Sequence, residues 1–236
     1  MEVGNNIKSE RGSWTFGGDV ANTFVDHVRN SVPLYEEGHD LVCQISDFFC
    51  QNDSTAYEIG VSTGELLNKL ATHQKHKPKI KWIGIDTEEN MIEKAKEHCS
   101  SHQNIKLIKD DIRLHDFRKN DFIVSYYCLQ FVPERHRQEV VNKLYDSLNW
   151  GGALVLFEKV RGPDARFQDI VTSLYNDFKE NNGFTSDEIL QKTRSLKSVM
   201  SPFSVQGNLD MLERAGFKDV TSVMKYICFE GFLAIK

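Results

Sequence analysis

Apolar residues along the chain change their spacing several times, and each change marks an element. In VANTFVDHVRNS, Val20, Phe24 and Val28 recur every fourth position with Thr23 and His27 between them. That period predicts an amphipathic helix, capped by Asp19 and stopped by Pro33. A second helical pattern covers 38–50 on Leu41, Val42, Ile45, Phe48 and Phe49. Trp14 and Phe16 precede both, as a staple onto the core or as part of a cover over a pocket.

Short apolar runs follow at Ala56–Ile59, Trp82–Ile85, Ile105–Ile108, Phe122–Ser125 and Ala153–Phe157. Helical stretches separate them, from Glu65 onward, in TEENMIEKAKEH and across Arg137–Leu148. A run such as ALVLF has no polar alternation, as expected of a parallel strand covered on both faces. Strand and helix alternating at this spacing predict βαβ units and a mainly parallel sheet.

The alternation breaks at 160–205. DARFQDIVTSLYNDFKENNG predicts a helix with Phe167, Ile170, Leu174 and Phe178 on one face. SDEILQKTRSLKSVM predicts another, capped by Thr185 or Ser186. This insertion would clamp a substrate or form a dimer surface. The chain then predicts a helix over Leu209–Ala215 with Gly216 as its cap. Two strands, Val220–Tyr226 and Gly231–Ile235, close it as an antiparallel hairpin at the sheet edge. The sum is seven strands in one α/β domain over 1–236, with a helical lid at 13–50 and the insertion at 160–205.

Composition narrows the functional classes. The 236 residues are 40% hydrophobic, which supports one sizeable core. A net charge of −5 and the lack of a basic–aromatic stripe disfavour nucleic acid as a direct partner. The five cysteines are odd in number and widely spaced, and the eight histidines are scattered. Neither a disulfide scaffold nor a metal site is expected. The sequence has no run of apolar residues long enough for a membrane span, and a cytoplasmic protein is expected.

The candidate chemistry falls at the strand ends, where an α/β sheet binds ligands. Glu58 closes the first strand, and Gly60 and Gly64 bracket the turn in EIGVSTGEL. The turn is either only a turn or a cradle for a carboxylate or phosphate at the helix start. It is not a full dinucleotide fingerprint, because Ser62 stands where the second glycine would be. Asp86 ends the second strand, where an acid accepts bonds from ribose hydroxyls; capping the next helix is the other reading, with Thr87 able to replace it there. Asp110-Asp111-Ile112 offers an acceptor for an exocyclic amine with an apolar wall, or a pair of acid–base carboxylates. Tyr126, Tyr127, Cys128 and Gln130 lie where the fourth strand opens, either as packing or as cofactor contacts. Glu158 ends the fifth strand near an acceptor. Arg161, Arg166, Lys192 and Arg194 would suit a carboxylate-bearing substrate.

These residues sit within a wider resemblance. WTF at 14–16, SVPLY at 31–35, EIGVSTG at 58–64, GIDTEENMIEKA at 84–95, DDIR at 110–113, LQFVP at 129–133, LNWGGALVLFEK at 148–159, NDFKENNG at 176–183 and LERAGF at 212–217 resemble class I S-adenosylmethionine-dependent methyltransferases. Within that class they are similar to the carboxy-S-adenosylmethionine synthase family of tRNA wobble-uridine modification. The resemblance implies a Rossmann-like methyltransferase fold, a homodimer and S-adenosyl-L-methionine as cofactor, with carboxy-S-adenosyl-L-methionine as the alternative bound form. It implies cofactor contacts from Tyr35, Gly60, Val61, Ser62, Asp86, Thr87, Asp111 and Ile112, and a small-molecule co-substrate, prephenate in that family.

The chain departs from the family at Val61, at Tyr126 in place of an asparagine, and at Thr193, where the family's carboxylate-binding arginine follows QK. Arg194 comes one residue later, and one helical step turns a side chain by about 100°. The expected reaction is therefore methyl transfer to a small molecule, with Tyr35, Tyr126 and Glu158 near the acceptor. Carboxy-S-adenosylmethionine synthesis is the alternative, with Arg194 taking the arginine's place. A non-catalytic cofactor-binding protein is the third reading.

Overall fold

The structure, a computed structural model, describes residues 20–236. Trp14, Phe16 and the expected cap Asp19 lie outside the described residues. Seven strands form one sheet: β1 (Thr55–Ile59), β2 (Lys81–Asp86), β3 (Ile105–Lys109), β4 (Asn120–Tyr126), β5 (Leu148–Lys159), β6 (Asp219–Tyr226) and β7 (Phe229–Ile235). Their order is β3-β2-β1-β4-β5-β7-β6. The first five pair in parallel, and β7 runs antiparallel to both β5 and β6.

The closing hairpin stands as expected, but its second strand lies inside and its first forms the edge. The sequence explains the order. FEGFLAI in β7 is apolar on both faces and mostly buried, whereas DVTSVMKY in β6 carries polar residues that remain largely exposed. An edge strand tolerates water on its free side, and an inner strand does not.

Eight helices accompany the sheet among the described residues: α1 (Val20–Ser31), α2 (Tyr35–Phe49), α3 (Glu65–His73), α4 (Glu89–His98), α5 (Glu134–Ser147), α6 (Ala165–Asn181), α7 (Ser186–Ser195) and α8 (Val205–Ala215). Alternate residues of one strand feed opposite cores. Phe122 and Val124 meet Val42 and Ile45 of α2 and Leu66, Leu67 and Leu70 of α3. Ile123 between them meets Val140, Val141 and Leu144 of α5 and Met211 and Leu212 of α8. This two-sided burial is why the strands read as unbroken apolar runs. It also makes α2 a layer of the core, whereas α1 contributes to the rim of a cleft.

Element ends follow local chemistry. Thr185 caps α7: its hydroxyl accepts from Glu188 N at 3.3 Å, and the Glu188 carboxylate accepts from Thr185 N at 2.8 Å. α7 stops at Ser195, short of the periodic pattern, and Ser198 just beyond it is left-handed at φ 67°. α8 starts before Leu209 because Ser204 Oγ accepts from Gly207 N at 3.0 Å. β5 starts at Leu148, so the NWGG stretch belongs to the strand; a register shift at Asn120/Phe122 absorbs it. No described helix is long and apolar enough to cross a membrane.

Candidate active site

The strand order reverses between β1 and β4, so the crossovers leave in opposite directions and the carboxyl ends of the strands part there. A cleft of about 2110 Å³ opens at this point. Its walls reach from the β1–α3 loop to α1, α6 and α7.

The loop end is shaped by backbone. Gly60, Ser62 and Gly64 alternate in the left-handed region at φ 70°, 50° and 80°. A Cβ on Gly60 would sit 2.5 Å from Cys128 Sγ, so only glycine fits. Ser62 takes the conformation that a dinucleotide fingerprint gives to glycine, at a cost of about 1–2 kcal/mol. Hydrogen bonds hold it there. Ser62 N donates to Asp86 Oδ2 at 2.8 Å, and Gly60 N and Val61 N donate to Ile85 O at 2.8 and 2.9 Å.

Asp86 has a second task. Its Oδ1 accepts from Glu88 N at 3.0 Å, closing the turn that leads into α4, so it holds that turn as well as clamping the loop. Burial raises its carboxyl, and the backbone N–H groups pull it back. Each oxygen retains acceptor capacity toward the cleft that Asp86 lines. Glu58 lies beneath the loop, 3% exposed, and its Oε2 has no partner among the described residues. Burial, with Asp86 nearby, pushes its carboxyl well up. The Leu67 N–H bonds to this carboxylate, and the oxygen left without a partner suits a cationic ligand group.

Asp111 is already engaged. Arg113 Nε donates to its Oδ1 and Oδ2 at 3.0 and 2.8 Å, and Arg113 N donates to Oδ1 at 2.9 Å. The Arg113 hydrogen bonds hold its carboxyl below the usual range. Asp110 turns instead to His115 Nδ1 at 2.7 Å. The two carboxylates therefore do not form an acid–base pair. Ile112, 6% exposed, supplies an apolar wall, and Thr87 lines the same side.

Tyr35 packs its ring on His39 and Tyr126, with centroids 4.5 and 5.4 Å away. Tyr126 Oη donates to the Tyr35 carbonyl at 2.7 Å, which ties α2 to the end of β4. Burial raises both phenols far above neutrality, so neither is a base at physiological pH. Gln130 joins β4 to β5 by accepting from Lys159 N at 2.9 Å.

All ten residues expected around the cofactor line the cleft: Tyr35, Glu58, Gly60, Val61, Ser62, Asp86, Thr87, Asp111, Ile112 and Tyr126. Two expected catalytic residues do not. Glu158 is 2% exposed and outside the lining. Neighbouring strand residues face opposite ways, and Lys159 takes the cleft face. Burial pushes the Glu158 carboxyl up to about 8, against the N–H groups of Gln130 and Leu129. Arg194 is exposed on α7 and outside the lining, whereas Thr193 lines the cleft. The helix keeps its register, so Arg194 does not replace an arginine at 193. Arg161 lines the cleft and Arg166 does not.

Sequence reasoning passed over Lys159, Lys179, Tyr175 and His39, all of which line the cleft. Lys159 was findable, since it ends β5 as Asp86 ends β2. Lys179 follows Tyr175 by one helical turn, a spacing hidden by the apolar stripe of the same helix.

A profile described as a methyltransferase domain matches residues 56–152. The apo structure of the S-adenosylmethionine-dependent methyltransferase SibL superposes with a TM-score of 0.64 at 14% identity, over 91% of this chain and 58% of that one. The carbon methyltransferase CurJ gives 0.65 at 14%, over 91% and 58%. The fold is thus the Rossmann-like fold of S-adenosylmethionine-dependent methyltransferases. Carboxy-S-adenosyl-L-methionine synthase of Staphylococcus epidermidis is 38% identical over 94% of this chain and 97% of its own length. The corresponding enzyme of Campylobacter jejuni is 33% identical over 97% of both. The chain belongs to the carboxy-S-adenosyl-L-methionine synthase family and is an S-adenosylmethionine-dependent transferase. Its cleft fits that cofactor: the unpaired Oε2 of Glu58 suits an ammonium or sulfonium, and the Gly60 turn leaves room that a Cβ would fill.

Proposed function

We propose that the protein moves a carboxyl group from a carboxylate-bearing co-substrate to S-adenosyl-L-methionine, giving carboxy-S-adenosyl-L-methionine. A C–C bond forms at the cofactor's methyl carbon as a C–H proton leaves. With prephenate the ring–carboxylate bond breaks as the ring hydroxyl departs, the proton and hydroxide leave as water, and the ring becomes aromatic. The observation that carries this reading is the contrast of charge within one cleft. Acids Glu58 and Asp86 lie at the loop end, and amines of Lys159, Lys179 and Lys192 lie at the α6–α7 end. The first set suits a cationic cofactor and the second an anionic co-substrate.

In this reading Asp86 and Thr87 receive the ribose, Ile112 and Asp111 frame the adenine, and Gly60, Val61 and Ser62 line the amino-acid part. The bound sulfonium supplies the intrinsic reactivity. The protein aligns two ligands and excludes water, with the packed rings of Tyr35 and Tyr126 as a rigid wall. Prephenate is the co-substrate to try first. Mass spectrometry of S-adenosyl-L-methionine after incubation with prephenate and enzyme tests the proposal. A product heavier by one carboxyl unit supports it; unmodified cofactor from folded, cofactor-binding protein overturns it.

Methyl transfer to a small acceptor is the second reading. Thr193 favours it, because no guanidinium enters the cleft from that position. S-adenosylhomocysteine formed only when an acceptor is supplied would establish it. We read the enzyme as cytoplasmic and as a homodimer. Phe167, Ile170 and Leu174, half-exposed along α6, support the dimer, which light scattering in solution would test.

A further inference from the structure

One arginine is buried where no acid meets it. Arg137 lies on α5, 2% exposed, and its donors are spent on main-chain carbonyls from two separate stretches. Nε donates to Val132 O at 2.7 Å and Nη2 to Gln130 O at 2.8 Å, both in the loop after β4. Nη1 reaches across to Ser201 O at 2.5 Å, in the connector between α7 and α8. The guanidinium lies over the Phe203 ring, 4.6 Å from its centroid. Glu158 and Glu134 act on it from beyond ion-pair distance. An apolar side chain would fill the space at less cost in desolvation. A guanidinium adds a planar fork that meets three acceptors at once.

The two stretches differ in how firmly they are held. Gln130 is a fixed post: its Oε1 accepts from Lys159 N at 2.9 Å, and its Nε2 donates to Tyr127 O at 3.3 Å. These bonds tie it to the ends of β5 and β4. The connector has less support. The N–H groups of Leu196, Lys197, Val199 and Met200 donate only within α7 and its closing turn. Among the described residues, the main-chain ties to the rest of the molecule begin at Ser201, whose N donates to the same Gln130 O at 3.1 Å. Phe203 O follows, accepting from Arg161 N at 2.9 Å.

α7 hangs between these ties and its own start. It buries only Ile189 and Ser195. Phe184, just before it, sets its ring edge-on to His27 of α1 at 5.5 Å, and Lys192 contacts the same imidazole. Those contacts run to another piece of the cleft rim, not to the sheet. Left-handed residues bracket the helix: Gly183 at φ 91° and Ser198 at φ 67°. A serine held in that region marks a place where the chain turns sharply, as hinges do. Ile189, Thr193 and Leu196 line the cleft, as do Met200 and Ser201, whereas Arg137 does not.

We propose that Arg137 is a positioning residue that latches the α7–α8 connector to the Gln130 post and so holds α7 closed over the cleft, with Gly183 and Ser198 as its hinges. Arg137 touches no ligand in this scheme. It sets the fraction of molecules in which the cover is shut, and a ligand enclosed by α7 binds with an apparent affinity reduced by that fraction. Only the kinetic readout rests on the transferase reading of the cleft.

The experiment is hydrogen exchange, read by mass spectrometry on the full chain without ligands, for the parent, Arg137→Lys and Ser201→Pro. The lysine keeps the charge but cannot span both stretches. The proline removes the Ser201 N–H and leaves Arg137 in place. Amides of 186–200 should exchange about tenfold faster in Arg137→Lys and about threefold faster in Ser201→Pro, with β1 and β2 within about twofold of the parent. In turnover with S-adenosyl-L-methionine and prephenate, Arg137→Lys should raise the KM for prephenate by about five- to tenfold and keep kcat within about twofold. The proposal is overturned if 186–200 exchanges at the parental rate in both variants, if the faster exchange spreads equally over the sheet, or if kcat falls while KM holds. A parent that never turns over prephenate would count against the transferase reading, and the exchange rates alone would then decide the role of Arg137.

Discussion

The two ends of the cleft are made of different materials. At the loop end the shape comes from backbone: three left-handed residues, two of them glycines, and an aspartate that clamps Ser62 N and Glu88 N. At the α6–α7 end the shape comes from long side chains laid against Tyr175. The first end is preorganised and tolerates little change, because its atoms have nowhere to go. The second has rotatable arms laid on an aromatic ring. The cleft thus divides its rigidity between its two ends.

The largest effect is expected where rigidity is greatest. Gly60→Ala puts a Cβ against Cys128 at φ 70°, and cofactor affinity should fall by about 100-fold by calorimetry. Affinity near that of the parent would mean the loop end is as adjustable as the lysine end. Asp86→Asn keeps the size but loses the charge and one of the two acceptors that hold Ser62 N and Glu88 N, and a loss of about 10–30-fold in cofactor affinity is expected. Asp86→Ala should also lower the melting temperature, since it releases Ser62 N and the turn at Glu88 together.

Glu158 separates stability from function. Its folded carboxyl is raised to about 8 by burial, so the folded chain binds more protons than the unfolded one between the ordinary glutamate range and that value. Stability contributed by the neutral form is present at low pH and lost as pH rises through this window. Denaturant titrations of Glu158→Gln should show a flatter profile, by about 2 kcal/mol between pH 5 and 8. Turnover should be unchanged, and a large fall in it would return Glu158 to the catalytic site. The smallest effect belongs to Arg194→Ala, exposed and outside the cleft. Less than about a twofold change in KM for any co-substrate is expected. A tenfold rise would show that α7 rotates in solution.

Legibility in the sequence divides along the same line as the site. The parallel strands were readable because both faces of each are buried, and Gly60, Asp86 and Ile112 were readable because they follow strand ends. Glu158 and Arg194 were placed on the right elements in the wrong phase. One residue along a strand reverses a side chain, and one along a helix turns it by about 100°. Phase is set by packing partners that a single sequence does not show. Lys159, Lys179 and Lys192 come from three successive elements, β5, α6 and α7, and their meeting is a property of how α6 and α7 fold back over the sheet, which local periodicity does not show. The late start assigned to β5 had a local cause: Gly151-Gly152 reads as a breaker, yet the strand passes through both.

Tyr126 and Gly38 form a pair whose history must have an order. A Cβ on residue 38 would collide with the Tyr126 hydroxyl, which is itself held by the Tyr35 carbonyl. While tyrosine occupies 126, position 38 has no neighbouring step open to it. A smaller residue at 126 unlocks it, and side chains then accepted at 38 would bar the tyrosine's return. Related chains should therefore fall into two lineages at these positions, separated by a ratchet and not by a gradient.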